Sequence, residues 1–475
     1  MIENVSRRAL LKNIGLGASA LVLYSPLNGL AKTSDSELNA LGVFVSIAPN
    51  GDVQIVNHRA EMGQGIFTSV PQIIADELEA DWQKVAVVQA TGDSKFGDQS
   101  TGGSASIRRH FAHIRQMGAI ARTMLEQAAA KHWQVPVNEV AAKNHYVVHS
   151  GSKRKLSFGE LAEAASQLPL PDVATLKLKN TSDFNLVGKD VGLKGQEAIV
   201  RGEAVYAQDF TLPGMLIASI QRPPVIGGKV KSFDAVEAKK VTGVVDVIQL
   251  RDRKLPTDVK PLSGVAVLAT NTWAAQEARK KLKIEWDYSD PKAAQNAKHN
   301  SSDYLKDLVA TVKQKGIEVR KQGDVYAHDY APDKTLEAVY TGPYQHHMSM
   351  EPPAATAWVQ KDRCQVWTGT QGPQWARGLV AEEAGMPPEQ VEINMLLMGG
   401  AFGRKGKNDF TLEAVELSKA TGKPVKVIWT REDDVKHGFY HSISANYLKA
   451  ELTDDGKAEH WLTRVAYPPI ASTFN

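Results

Sequence analysis

The apolar positions of this chain change period several times, and each change predicts an element. Val43, Val45 and Ile47, then Val53 and Ile55, alternate on either side of Asn50-Gly51-Asp52. That pattern predicts a β-hairpin, because Asn-Gly tolerates the positive φ of a tight turn. From Gln64 to Leu78, Ile66, Val70, Ile73, Ile74 and Leu78 fall at helical spacing. Val85–Val88 reads as a buried strand. Ile107 to Ala130 is helical again through Phe111, Ile114, Met117, Ala121 and Leu125. Residues 168–200 mix Pro, Lys and Asn with little periodicity and read as a crossing linker. A short-strand, mixed α/β region follows over about 200–290. Residues 291–335 are polar and Lys-rich, with a surface helix. Strands at 364–369, 391–397 and 424–430 then alternate with helices at about 374–385 and 408–421. The fold class this implies is mixed α/β or α+β.

The N-terminus has a different character. Arg7-Arg8 precedes an apolar stretch from Ile14 to Leu27, and small residues follow at Gly29 and Ala31. The run is too short and too interrupted by Gly and Pro for a membrane span. Adjacent arginines before a moderate apolar region resemble a twin-arginine export signal, so residues 1–31 are expected to direct export to the periplasm.

Composition removes some functions. The formal net charge of the 475 residues is +3 and there is no long basic run, so nucleic-acid binding has no support. Cys364 is the single cysteine. It cannot hold an iron–sulfur cluster, which needs about four thiolates, and it reads as a small buried strand residue. Any one-electron centre must lie on a partner chain. His346-His347 are neighbours whose side chains would diverge on a strand, which argues against a shared metal. Trp358, Trp367, Trp375 and Trp429 read mostly as core.

Three glycine-containing segments carry the candidate chemistry: Glu61-Met62-Gly63-Gln64-Gly65-Ile66-Phe67-Thr68, Thr101-Gly102-Gly103-Ser104-Ala105-Ser106, and Gly399-Gly400-Ala401-Phe402-Gly403-Arg404-Lys405. Each stands before a predicted helix, where unpaired backbone N–H groups and the helix dipole favour anions. Singly, such a loop is more often a turn or a cap. None has P-loop spacing, and none has the dinucleotide fingerprint in an ordinary βαβ unit. Together they predict a large ligand with several polar ends, anionic and phosphorylated.

The wording of these loops resembles the xanthine dehydrogenase and aldehyde oxidase family. Gly399 to Lys405 is similar to that family's molybdenum loop, and Gln371 to the glutamine that hydrogen-bonds a molybdenum oxygen. Glu61 to Gly65 resembles the segment whose glutamine, here Gln64, contacts the pterin. Gly202-Glu203-Ala204-Val205-Tyr206-Ala207-Gln208-Asp209 resembles the start of the family's hammerhead domain. The Met-Gly-Gln-Gly segment precedes that domain here, an order similar to the isoquinoline 1-oxidoreductase beta-subunit group.

The resemblance implies a molybdopterin cofactor with molybdenum, in the cytosine dinucleotide form. Its expected contacts are Gly63, Gln64, Gly65, Thr68, Gly102, Gly103, Ser104, Ser106, Gly400, Ala401, Phe402, Gly403 and Arg404, with Gln371 as the catalytic residue and no protein ligand to the metal. It implies a domain order of signal (1–31), permuted molybdopterin-binding segment (42–165), linker (166–194), α/β hammerhead domain (195–290), connecting segment (291–334) and an incomplete molybdopterin-binding domain (335–475). The implied reaction is hydroxylation of an N-heteroaromatic or aldehyde substrate with oxygen from water. Gly406 stands where purine-specific members carry a glutamate, which argues against a purine. The expected partners are a small [2Fe-2S] subunit and a second chain carrying the remaining part of the large subunit, with the family's general base on that second chain. Glu61 and Glu351 read as structural acids. The alternative is an inactive, truncated cofactor-binding or assembly protein.

Overall fold

The structure is a computed structural model, and it describes residues 21–24 and 43–473. Arg7, Arg8 and Ala31 lie outside the described residues. Mixed helix and sheet is found throughout, as the changes of period predict. The chain divides into two compact units, Met1–Ile217 with Pro353–Ile428, and Ala218–Pro352 with Trp429–Asn475.

The first unit begins with a four-stranded sheet in the order β1 (Leu21–Tyr24), β2 (Val43–Ile47), β3 (Val53–Asn57), β4 (Val85–Gln89). The β2–β3 hairpin pairs Val45 with Ile55, and its turn is closed by Ala48 N–H on the Asp52 carbonyl at 2.9 Å. β4 runs parallel to β3 and forms the sheet edge, so Ala86 is exposed. The expected buried strand is therefore an edge strand, buried only at its two ends.

α1 (Ile66–Leu78) and α2 (Phe111–Trp133) pack on this sheet. Ile114, Met117, Ala121, Met124, Leu125 and Ala128 form the buried stripe of α2. The two helices approach closely at Gly118, where a Cβ would stand 2.3 Å from the Ile74 carbonyl oxygen. A small meander of β5 (Val140–Lys143), β6 (Tyr146–His149) and β7 (Lys155–Ser157) leads into α3 (Phe158–Ser166), which a Ser157/Glu160 capping box starts.

Residues 168–195 lack long elements, as expected of a linker, but they are firmly attached. Asp76 and Glu77 sit buried in the last turn of α1, where the helix dipole disfavours acids. The linker supplies their partners. Lys179 Nζ binds Asp76 at 2.7 Å, and the amides of Leu186 and Val187 bind its other oxygen at 2.9 and 2.7 Å. Arg115 Nε of α2 binds Glu77 at 2.6 Å.

The same unit closes with β8 (Ala354–Val359), β9 (Cys364–Thr368), α4 (Pro373–Ala384), β10 (Val391–Met395), α5 (Asp409–Thr421) and β11 (Val425–Ile428). Their sheet order is β11-β8-β9-β10, with β9 and β10 parallel. Cys364 is fully buried at the start of β9, and burial pushes its thiol up to about 12. It is an inert packing residue. Trp367 stacks on Phe210 at 4.9 Å, and Trp375 is 37% exposed, so it is not the core residue expected.

The second unit contains antiparallel pairs Lys229–Asp234 with Lys283–Asp287 and Val244–Leu250 with Gly264–Ala269. It also holds a three-stranded antiparallel sheet of Thr335–Gly342, Ser444–Leu452 and Ala458–Ala466, one face of which is covered by the helix Ser301–Val312. Trp429 is buried here with the Arg222 guanidinium 3.9 Å from its ring. His346 and His347 lie in irregular backbone, not on a strand. Their rings still diverge, one to the Asp434 carbonyl at 2.7 Å and the other against His441 at 4.5 Å. No helix among the described residues is long and apolar enough to cross a membrane.

Candidate functional site

Parallel strands send out their loops at the same end, which is where open α/β sheets bind ligands. β9 and β10 are such a pair, so residues 369–372 and 396–403 emerge side by side. Gln371 joins them. Its Oε1 accepts from Gly403 N at 3.0 Å, and its own N–H donates to the Lys405 carbonyl at 3.0 Å. Its Nε2 donates to the Thr101 carbonyl at 2.8 Å, while Thr101 N–H donates to the Gln371 carbonyl at 2.8 Å. One Nε2 proton of this 8%-exposed amide remains uncommitted.

The remaining loop is tied to the same wall. Met398 N–H donates to the Glu61 carbonyl at 3.2 Å, and Ala60 N–H donates to Thr101 Oγ1 at 3.0 Å. Gly92 closes the seam: its N–H reaches the Ile393 carbonyl at 3.1 Å, and a Cβ there would stand 2.7 Å from the Pro373 carbonyl oxygen. The three segments thus converge within one unit, although the third follows the other two by nearly three hundred residues.

Part of their exposed surface is bare backbone. Gly63, Gly102 and Gly103 have nothing within 4 Å of a Cβ position, so the main chain itself is presented to a ligand. Phe402 has φ 54 and is 65% exposed. An aromatic residue held in the left-handed region costs about 1–3 kcal/mol, a strain found preferentially at functional sites.

Several candidates are placed differently from expectation. The Gln64 carboxamide turns back on its own loop, accepting from Met62 N at 2.8 Å and donating to the Ala60 carbonyl at 2.9 Å. Thr68 is buried, and its hydroxyl accepts from Lys194 N at 2.9 Å. Arg404 points inward: it is 1% exposed and makes a two-pronged pair with Asp409 at 2.9 Å on each arm. Ala401 is fully buried, whereas Gly403 and Ser104 are exposed. Ser106 is half-buried in a single helical turn, Ala105–Arg108.

The helix-terminus reading also needs correction. Only the first loop opens directly into a long helix, and Glu61 occupies that terminus, taking Gly63 N and Gly65 N on Oε1 at 2.7 and 3.1 Å and Phe67 N on Oε2 at 2.8 Å. That engagement makes Glu61 a structural acid, as read. The third loop passes through a 3-10 turn, Arg404–Gly406, before α5 begins at Asp409.

Two charged groups beside the wall escaped sequence reasoning. Lys407 is buried just past the third loop; burial outweighs the attraction of Asp409 and brings its ammonium down to about 8. Arg59 is buried directly ahead of the first loop. Its position between a strand end and a glycine loop was the available signal.

Comparison with known proteins covers the segments that carry these loops. A model of a molybdopterin cofactor-binding domain matches residues 309–465, and a second model of the same description matches residues 3–199. The beta chain of isoquinoline 1-oxidoreductase from Brevundimonas diminuta is 29% identical over a 526-residue alignment, covering 97% of this chain and 65% of that relative. The chain belongs to the xanthine dehydrogenase and aldehyde oxidase family of molybdopterin-binding large subunits. A membrane-bound aldehyde dehydrogenase of Gluconacetobacter polyoxogenes, whose name carries pyrroloquinoline quinone, is 32% identical and covers 86% of this chain and 52% of its own. A nicotinate dehydrogenase subunit of Pseudomonas putida is 28% identical, covering 98% of this chain and 38% of its own. The chain therefore spans 38–65% of the length of these relatives. All three candidate loops and Gln371 fall inside the two matched segments.

Proposed function

We propose that this chain is the molybdopterin-holding part of an oxidoreductase that hydroxylates N-heteroaromatic or aldehyde compounds with oxygen taken from water. The observation that carries this is the Gln371 junction, which draws loops from both cofactor-binding segments onto one wall of exposed backbone. The names of the relatives support both substrate classes.

The residues fit such a cofactor. Gly102, Gly103 and Ser104 would receive its polar end, and the backbone around Gly63–Gly65 and Gly400–Gly403 would flank its body. When bound, the molybdenum cofactor supplies the two-electron acceptor. Gln371, fixed at three points and retaining one N–H, would orient a polar group of the bound centre. Phe402, exposed and strained, would form apolar floor for a flat substrate.

The cofactor is assigned the cytosine dinucleotide form. Electrons leave through a small [2Fe-2S] subunit, and a further chain supplies the general base, since Glu61 is committed to three amides. Export by the twin-arginine route to the periplasm completes the reading. It requires Arg7 and Arg8, so replacing both with Lys should hold the protein in the cytoplasm.

The test is to produce the chain in a cofactor-competent host and measure molybdenum and pterin. Oxidation of heteroaromatic and aldehyde compounds is then followed with an artificial acceptor, with and without the completing chains. Bound pterin, with turnover raised about 10²–10⁴-fold by the chain carrying the base, is the expected result. Pterin without turnover in any combination would support an assembly protein instead, and absence of pterin would end the proposal.

A further inference from the structure

The three-stranded sheet of the second unit has two unlike faces. Across the strands Thr335–Gly342, Ser444–Leu452 and Ala458–Ala466, Leu336, Ala450 and Trp461 stand abreast, and so do Tyr340, Asn446 and Val465 four residues along. Ala338, Leu448 and Thr463 fill the row between. Side chains alternate across a strand, so these nine share one face. Seven of them are apolar and none is charged, the composition of a face that packs against something.

The charges lie on the other face, which is already covered. There Leu308 and Val312 of the helix Ser301–Val312 pack with Ala445, Tyr447 and Leu462. The Glu451 carboxylate pairs with His328 Nε2 at 2.7 Å, the Lys449 ammonium stands 3.9 Å from the Tyr330 ring, and Arg464 donates to the Lys313 carbonyl at 3.0 Å. An antiparallel sheet with one solvated face ordinarily turns its polar residues outward. This sheet does the reverse: Leu336, Tyr340, Trp461 and Val465 are 48–61% exposed on adjoining rows. Charge returns at one end of the face, with the exposed Glu459 and the Lys334–Asp454 pair at 2.8 Å. An uncharged apolar field with a charged border is the anatomy of an interface, not of isolated apolar residues on a surface.

What covers it follows from length and from the character of the face. This chain spans 38–65% of its relatives, so at least a third of each relative has no counterpart here. All nine positions lie inside the segment matched to the molybdopterin cofactor-binding domain, residues 309–465, so the face belongs to the shared domain. Permanent interfaces are large and apolar, whereas electron-transfer contacts are small. We propose that this face is the docking surface for the polypeptide carrying the rest of the large subunit, which meets it with an apolar, uncharged surface of its own. This rests on the reading of the chain as one part of a larger hydroxylase, and it names the surface through which the further chain attaches.

The test pairs the full chain with the polypeptide of the same source that carries the remaining part of the large subunit, both purified from a host unable to make the pterin. Their affinity is measured by biolayer interferometry. Trp461→Arg and Tyr340→Glu change side chains that are more than half exposed, so the isolated variants should melt within about 2 °C of the unchanged chain. Each should weaken association by about tenfold or more, as expected for a charge placed at an apolar interface core. Trp273→Arg, at an exposed tryptophan elsewhere in the same unit, should leave it unchanged. Association that withstands both Trp461→Arg and Tyr340→Glu would overturn the proposal, and so would failure of the unchanged pair to associate. A dimer of the unchanged chain that Trp461→Arg makes monomeric would give the face to a second copy, and selective loss of the [2Fe-2S] subunit would give it to that partner; either overturns it. Because the affinity is read without pterin, a chain that never retains pterin defeats the cofactor reading without altering this measurement. Conversely, association insensitive to both variants leaves pterin retention standing.

Discussion

The side-chain amide of Gln371 donates to the main-chain carbonyl of Thr101 across 270 positions of sequence, at 2.8 Å, and the Thr101 amide returns a bond to the Gln371 carbonyl. The pair is a reciprocal clasp between the two cofactor-binding segments. Gln371→Ala should leave Gly403 N–H and the Thr101 carbonyl without partners, at about 1–3 kcal/mol each where water cannot enter. The expected outcome is a lowered melting temperature together with reduced pterin content. Full pterin content in a destabilised variant would show that the clasp serves stability alone.

Gly118 and Gly378 give opposite predictions for the same substitution. A methyl on Gly118 would meet the Ile74 oxygen at 2.3 Å and the Glu77 Cβ at 2.7 Å, so Gly118→Ala must force α1 and α2 apart. A cost of about 1–3 kcal/mol or more is expected. Gly378 lies within α4 with open space around it, and Gly378→Ala should stabilise by about 0.5–1 kcal/mol. Chemical denaturation of the two variants checks both signs.

Lys179 is the counter-charge for Asp76 in the last turn of α1 and for Glu79 just beyond it. Burial raises the Asp76 carboxyl, but the Lys179 ammonium and the amides of Val187, Leu186 and Asn185 more than offset this and hold it below its ordinary value. Lys179→Met should cost about 3–5 kcal/mol, the usual penalty for stranding a buried charge. Because the folded Asp76 value is depressed, its contribution is present above about pH 4 and is lost as the solution becomes more acid than that. Proteolysis of the 177–187 segment should accelerate in the variant; an unchanged rate would mean the segment is held by something else.

His58 gives a pH signature in a milder range. Burial, followed by the charges of Arg59, His110 and His113, pushes its imidazole down to about 3. The unfolded chain titrates near about 6.5. The unfolded state therefore takes up the proton first as pH falls. The contribution of His58 is complete above about pH 6.5 and drains away between there and about 3. His437 in the second unit acts in the same direction, brought down to about 4 mainly by burial and then by Arg222. Melting temperature should fall between about pH 7 and about pH 5, and His58→Gln should flatten that slope. An unaltered slope would remove His58 as its source.

Much of this was legible from periodicity. The Asn50-Gly51 hairpin, α1, α2 and the alternation of strands and helices after Cys364 stand where the apolar spacing puts them, although α1 and β3 are buried nearly all round. That the three glycine loops belong together was legible from their glycines, and the structure brings them onto one wall. What periodicity could not show were polar pairings made across long separations. Asp76 and Glu77 look like ordinary helix-end acids until Lys179 and the 185–187 amides fold onto them. Arg404 has the charge of a phosphate ligand, but Asp409 five residues later captures it. Thr68 has a helix-start hydroxyl, yet Lys194 claims it. In each case apolar spacing carries no trace of the polar partner that captures the group.

The reciprocal bond between Thr101 and Gln371 has a temporal cost as well as a spatial one. Closing a flexible loop becomes only slowly more expensive with length, so a 270-residue span is thermodynamically tolerable. Kinetically it is severe. At a synthesis rate of about 5–20 residues per second, roughly 15–50 seconds separate the emergence of Thr101 from that of Gln371. During that interval the nascent chain carries the 101–106 backbone uncapped and the Gly92 seam unfilled, a lifetime long enough for chaperone capture or aggregation to compete. Completion of the wall is thus a late event on the ribosome's clock, and any cofactor that needs it must wait until Gln371 and the 399–405 loop have emerged.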